Sequence, residues 1–213
     1  MEPGRIVILN GVPRSGKSSI AAAIQETFEG PWMNLGVDVY VRHMTPARYR
    51  PGLGLRPGGE RPDIEPLVPV FYAALYDSIA AHSRLGLNVV ADVGHHGADR
   101  AGRELLADCA RRLQGLPALF VGVRCPIEVI MERRNAGEAG REDQYLIGTA
   151  EDPKPAPVLR WQRAVHGPGI YDLEVDTSLL SSAECAEVIG RHLEADGEAP
   201  TAFHRLAAKA RRG

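Results

Sequence analysis

Eight residues near the amino end, Gly11-Val12-Pro13-Arg14-Ser15-Gly16-Lys17-Ser18, restrict what this chain can fold into more than any others. They satisfy the spacing Gly-x4-Gly-Lys-Ser/Thr at every position, the pattern of a loop whose backbone amides cradle phosphate. The flanks agree. Arg5-Ile6-Val7-Ile8-Leu9-Asn10 is a short apolar, β-branched run with the character of a buried strand. Ser18 to Phe28, built around Ala21-Ala22-Ala23-Ile24-Gln25-Glu26, has the composition of a helix. A strand that turns through glycines into a helix aims successive N–H groups and the positive helix end at one anion. A Gly-rich turn with an exposed lysine accounts for neither the position nor the spacing.

The rest of the chain repeats the alternation. Asn34 to Asp38 reads as a second strand ending in a carboxylate. The stretch 44–69 is crowded with Pro and Gly and carries Arg48, Arg50, Arg56 and Arg61; a loop that long in a compact domain is functional or disordered. Phe71, Leu75 and Ile79 share a helical face over 71–84. Leu87 to Asp92 is a strand that again ends in an acid, Ala98 to Leu113 a helix, and Ala118 to Val123 a strand. Pro126 opens a helix at the first-turn position, where its missing N–H costs nothing, and that helix runs to about Arg134. A Gly-, Pro- and charge-rich segment follows from 135, with a short helix near 158–165, before the last strand, 173–176, and the last helix, 182–193. The tail from about Ala195 ends in Lys209, Arg211 and Arg212 and reads as a short amphipathic helix or a frayed end, solvated rather than a functional basic patch.

Five strands alternating with helices predict a three-layer α/β/α domain of the P-loop NTPase or kinase type, with a mainly parallel sheet and a lid. The expected layout is one domain over 1–195, a substrate loop at 44–69, a lid at 134–165 and a basic tail at 196–213. Its 213 residues fit one such domain with a sizeable core. A formal net charge of −2 gives no general attraction to nucleic acid or membrane. No apolar run approaches the roughly 20 residues of a bilayer span, and the first strand follows Met1 without a signal-peptide core, so a cytoplasmic setting is expected. Cys109, Cys125 and Cys185 make no Cys-x-x-Cys pair or zinc spacing and read as small hydrophobes. A homo-oligomer is allowed for.

Chemistry in such a sheet belongs at the carboxyl ends of its strands, where the glycine loop, Asp38 and Asp92 all fall. Gly11 to Ser18, with Ser19, is the candidate nucleotide site. Lys17 supplies a point charge to the β/γ-phosphates, and the Ser18 hydroxyl is placed for Mg²⁺, with Asp92 through a water as a second holder. ATP or GTP and Mg²⁺ are the expected cofactors. Asp38 and Asp92 are the carboxylates in reach; one takes the proton of an attacking hydroxyl and the other orients metal-bound water or substrate, and spacing does not decide which. Arg133, Arg134 and Arg141 are candidate lid cations that offset transition-state charge. Asp176 and Thr177, past the last strand, are expected near the adenine. His95 and His96, after Asp92, are candidate substrate contacts; without a third ligand they do not make a zinc site.

With these residues in view, the chain resembles the chloramphenicol phosphotransferase family, small P-loop kinases that modify a natural-product hydroxyl. Ile8-Leu9-Asn10-Gly11 leading into Ser15-Gly16-Lys17-Ser18, then Gly36-Val37-Asp38, Asp92-Val93 and Val121-Gly122-Val123-Arg124-Cys125 carry the likeness. Val165-His166, Tyr171-Asp172 and Glu174-Val175-Asp176-Thr177 continue it. The resemblance implies an ATP-dependent phosphotransferase acting on a hydroxyl of a small natural product or antibiotic, for resistance or self-protection. It also implies Asp38 as the base, Arg133, Arg134 and Arg141 in the lid, and His166 near the lid's return. Departures cluster on the acceptor side: Ala91-Asp92 stands where the family has two acids, Gly94 and two histidines where it has an aromatic, and 44–69 is rich in Pro and Arg. Alternatives are a P-loop kinase of a nucleotide-sugar or other metabolite, and a nucleotide-dependent switch. The absence of an Asn-Lys-x-Asp guanine motif counts against a GTPase switch.

Overall fold

The computed structural model describes residues 2–50, 61–95, 104–137, 145–195 and 201–210. Strands β1 (Ile6–Asn10), β2 (Trp32–Asn34), β3 (Asn88–Val93), β4 (Ala118–Arg124) and β5 (Leu173–Asp176) form one sheet in the order β2-β3-β1-β4-β5. Every pairing is parallel, with Leu9 opposite Asp92 on one side and Val121 on the other. Parallel strands are joined by crossovers, so helices cover both faces.

The period of two along each strand divides the core. Ile6 and Ile8 of β1, Val89 and Ala91 of β3, and Ala118 and Phe120 of β4 face α3 (Val68–Arg84), α4 (Leu105–Arg112) and α8 (Ala202–Ala210). Val7 and Leu9, Val90, Val121 and Val175 face α1 (Lys17–Thr27) and α7 (Ser182–Glu194). Asp92 therefore falls on the face of β3 that looks toward α1. A smaller cluster of Val12, Cys125, Ile130 and Val165 joins the glycine loop to α5 (Ile127–Asn135) and α6 (Ala156–Val165). All three cysteines are free and buried, as their composition suggested.

Three expectations change. The second strand is Trp32–Asn34, ahead of the predicted span. Asn34 Oδ1 accepts the Gly36 N–H at 3.0 Å, an Asx turn that ends the strand, and Val37–Val39 (α2) passes directly into a π-helical turn, Tyr40–Met44. Asp38 thus stands on the first turn of a helix rather than at a strand end. Glu104 is not helical and caps α4, so no helix runs unbroken from 98 to 113; residues 98–103 lie outside the described ones. The tail does contain a short helix, α8, but it is not simply solvated: Ala202, Phe203, Leu206 and Ala207 are all buried. Asp172 anchors it, one carboxylate oxygen accepting the Phe120 N–H at 2.8 Å and the other the Ala202 N–H. Among the described residues no helix is long and apolar enough to cross a membrane.

Candidate active site

The glycine loop leaves β1 at Asn10, whose amide fixes three segments at once. Its Oδ1 accepts the His95 N–H at 2.6 Å, and Nδ2 donates to His95 O, Val165 O and Tyr171 Oη. The loop then needs two left-handed residues. Gly16, at φ 90°, is suited to one; a Cβ there would lie 3.2 Å from Thr177 Cγ2. Arg14, at φ 72°, is held there by reciprocal contacts. Its Nε and Nη2 donate to Arg133 O at 3.1 and 2.6 Å, and its own carbonyl accepts from Arg133 Nη1 at 3.3 Å. The first helical bond of α1 runs from Ile20 N–H to Gly16 O, so the amides of Lys17, Ser18 and Ser19 precede the ladder.

Charged groups converge beside those amides. Lys17 Nζ donates to Val12 O at 2.8 Å, folding the ammonium over the loop. Ser18 Oγ donates to Asp92 Oδ2 at 2.8 Å, and Asp92 is only 6 % exposed. Burial pushes the Asp92 carboxyl above its usual range, opposed by Lys17 and assisted by Asp38. Burial likewise lowers Lys17, opposed by Asp92 and Asp38 and assisted by Arg134. Lys17, Asp92 and Asp38 therefore share one field, with Arg134 at its edge. Gly36 is part of this arrangement: a Cβ there would sit 1.6 Å from Asp92 Oδ1. The Ser18 hydroxyl and Asp92 carboxylate are hard oxygen donors of the kind Mg²⁺ takes. Among the described residues no group of three or more His, Cys, Asp or Glu could hold a metal ion.

The two described lid arginines have different surroundings. Arg133, expected to close over phosphates, is committed to bracing the loop: Nη1 donates to Thr177 Oγ1 at 3.1 Å and Nη2 to Thr177 O at 2.7 Å. Arg134 is 3 % exposed, donates from Nη1 to Leu146 O at 3.2 Å, and keeps an enclosed Nε with no partner. Burial lowers its guanidinium's affinity for the proton, and the Tyr145 ring lies 5.5 Å from it and 5.7 Å from that of Arg14. Arg141 and His96 lie outside the described residues.

Thr177 Oγ1 donates to Ser15 O at 2.8 Å, tying the turn after β5 to the loop, while Asp176 Oδ1 accepts from Ser178 and closes that turn. His95 departs from its expected place as a substrate contact. Its ring is 2 % exposed, lies within 5.4 Å of Tyr72 and 5.5 Å of Tyr76, and pairs Nε2 with Tyr76 Oη at 2.9 Å. Asn10, Gly36 and Tyr171 belong to the stretches that carry the family likeness but have no role there; nothing in their local spacing signals a contact made across the sheet.

A five-stranded parallel sheet with this loop at its centre defines a P-loop kinase fold, and solved structures agree at the level of fold. The tunicamycin resistance protein of Deinococcus radiodurans superposes with a TM-score of 0.58 at 18% identity, over 92% of this chain and 99% of that one. The Mycobacterium tuberculosis APS kinase in complex with AMPPNP and APS gives 0.57 at 16% identity, over 92% and 100%. Shikimate kinase from Acinetobacter baumannii in complex with shikimate gives 0.56 at 14% identity, over 90% and 92%. The chain belongs to the chloramphenicol phosphotransferase-like protein family, whose match spans residues 4–194. A Mycobacterium tuberculosis (strain H37Rv) protein named "Putative O-phosphotransferase" is 28% identical over 219 residues, covering 97% of this chain and 89% of its own length. Family and fold together support a phosphotransferase.

Proposed function

We propose that this protein transfers the γ-phosphoryl group of ATP to a hydroxyl of a small natural product, as a resistance or self-protection step. The observation that carries the reading is the convergence of Lys17, Ser18, Asp92 and Asp38 on the amides that open α1. In this reading the loop from Gly11 to Ser19 holds the triphosphate, and Lys17 turns from Val12 O to the β/γ oxygens. Ser18, with Asp92 through a water, would hold Mg²⁺, which would neutralise charge on the phosphates when bound. Asp38 takes the proton of the acceptor hydroxyl as its oxygen bonds to the γ-phosphorus. The bond to the bridging oxygen of ADP breaks in the same displacement. Arg134, with an unpartnered Nε, faces the charge that develops on the transferred group. Asp176 and Thr177 border the adenine end.

The test is ATP turnover with a panel of hydroxyl-bearing antibiotics and nucleoside-type natural products, read by mass spectrometry. A kinase shows acceptor-stimulated ADP release and a product heavier by one phosphate. Acceptor-independent hydrolysis across the panel would instead favour a nucleotide switch. In the same assay Asp38→Asn lowers kcat by about 100-fold or more, in the range of general-base catalysis, with little change in ATP affinity. Turnover lost with Asp92→Asn but kept with Asp38→Asn would reassign the base.

A further inference from the structure

We propose that Arg42 is an anchor for an oxyanion carried by the acceptor, so that the substrate is a hydroxyl compound bearing a carboxylate or phosphate group. The inference rests on the phosphotransferase reading and narrows its acceptor. Asp38 and Arg42 stand four residues apart on one helical stretch, α2 and the π-turn that continues it. Tyr40 N–H bonds to Gly36 O, and Thr45 N–H bonds to Tyr40 O five residues back, so the two side chains share a face about one turn apart. Val37 and Val41, on the neighbouring face, pack into the core. Asp38 acts on the charge of both Lys17 and Asp92, so its face looks onto the phosphate end of the site. Gly36, just before α2, lies against Asp92, and Arg42 stands one turn beyond Asp38 on the same stretch.

The guanidinium of Arg42 has an unused donor there. Arg42 is half-buried, and its Nη2 is enclosed without a hydrogen-bond partner. None of the ion pairs among the described residues includes it. Neighbouring arginines are committed to backbone. Arg50 donates from Nε to Thr45 O at 2.7 Å and from Nη2 to the carbonyl of Arg42 itself. Arg61 reaches Arg50 O at 2.7 Å, Arg48 O at 3.0 Å and Asp63. These contacts fix the main chain of Arg42 and leave its side chain uncommitted. An enclosed guanidinium N–H without an acceptor is costly, and its planar fork matches the two oxygens of a carboxylate or phosphate. A neutral acceptor would leave that cost in place.

The inference is tested on protein labelled with ¹⁵N at arginine, loaded with ADP and Mg²⁺, and titrated separately with gluconate, glucose 6-phosphate and glucose. The Arg42 Nε–H resonance, assigned by its disappearance in Arg42→Gln, shifts saturably with gluconate, glucose 6-phosphate or both, and does not shift with glucose. Which anion acts tells carboxylate from phosphate. In Arg42→Gln the anion binds at least about tenfold more weakly, a loss of about 1.4 kcal/mol, with the other arginine resonances in place as the check on folding. Glucose shifting Arg42 as strongly as the anions, neither anion shifting it, or unaltered anion affinity in Arg42→Gln would each overturn the proposal. Failure of ADP itself to bind would strike the nucleotide reading, whereas bound ADP with an unmoved Arg42 removes only the anion anchor.

Discussion

Asp92 and Lys17 are each driven toward neutrality by burial and back toward charge by the other. That balance is what a phosphate site needs before its ligand arrives: a cation ready to leave a carbonyl, and a carboxylate already paired with a serine. His166 is a different case at the same edge. Its Nδ1 pairs with Tyr171 Oη at 2.9 Å and its Nε2 is enclosed without a partner. Burial first, then Arg124, lower the ring from 6.5 to about 4. Between those values the unfolded chain takes up a proton that the folded ring refuses, so stability falls as pH falls from about 6.5 toward 4. His166→Gln removes that difference. In urea unfolding at about pH 7 and about pH 5, the variant loses less stability on acidification than the wild type, by about 1 kcal/mol after allowing for solvent screening. Parallel losses would show that the ring titrates normally in the fold.

At the scale of elements, the site depends on how closely the turn before α2 approaches β3. Gly36 has an ordinary backbone, φ −67° and ψ 164°, so alanine would add no conformational strain there. It would add a methyl 1.6 Å from Asp92 Oδ1. Gly36→Ala therefore displaces the carboxylate from Ser18 and lowers acceptor-dependent turnover by at least about tenfold, with the far-UV spectrum retained. Wild-type turnover in this variant would show that the position of Asp92 is not what the reaction uses. The sequence showed the glycine loop and its flanking elements because strand, loop and helix are all local patterns. It misassigned Val37-Asp38 because a short apolar run ending in an acid reads as strand, whereas the Gly36 N–H donated to Asn34 Oδ1 ends β2 early. Arg133 and Arg134 are adjacent and alike in sequence. Only the packing of α5 buries one beside Tyr145 and turns the other to Thr177.

For the whole molecule, the sheet is closed on its α3 and α4 face by a tail helix whose docking no local pattern declares. Its Ala, Phe and Leu positions are too few and too mixed with Lys and Arg to declare a partner. The partner, β4 with Asp172 and α4, is distant in sequence. Phe203 is buried against Phe120, with ring centroids 4.9 Å apart. Phe203→Ala costs about 3 kcal/mol and lowers Tm by about 6–12 °C in a thermal scan. An unchanged Tm would mean that α8 does not dock. The fold class and the carboxyl edge of the sheet were legible because alternation and glycine spacing repeat along the whole chain. The acceptor side was not, because it depends on where single side chains such as Arg42 and His95 end up after the sheet has assembled.

The central claim is that the amino-end loop binds a nucleoside triphosphate through Lys17. Isothermal titration of MgATP into wild type and Lys17→Ala measures it directly. The account predicts saturable binding to the wild type and affinity at least about tenfold weaker in the variant, with the fold intact. No binding to the wild type, or equal affinity in both, would contradict it.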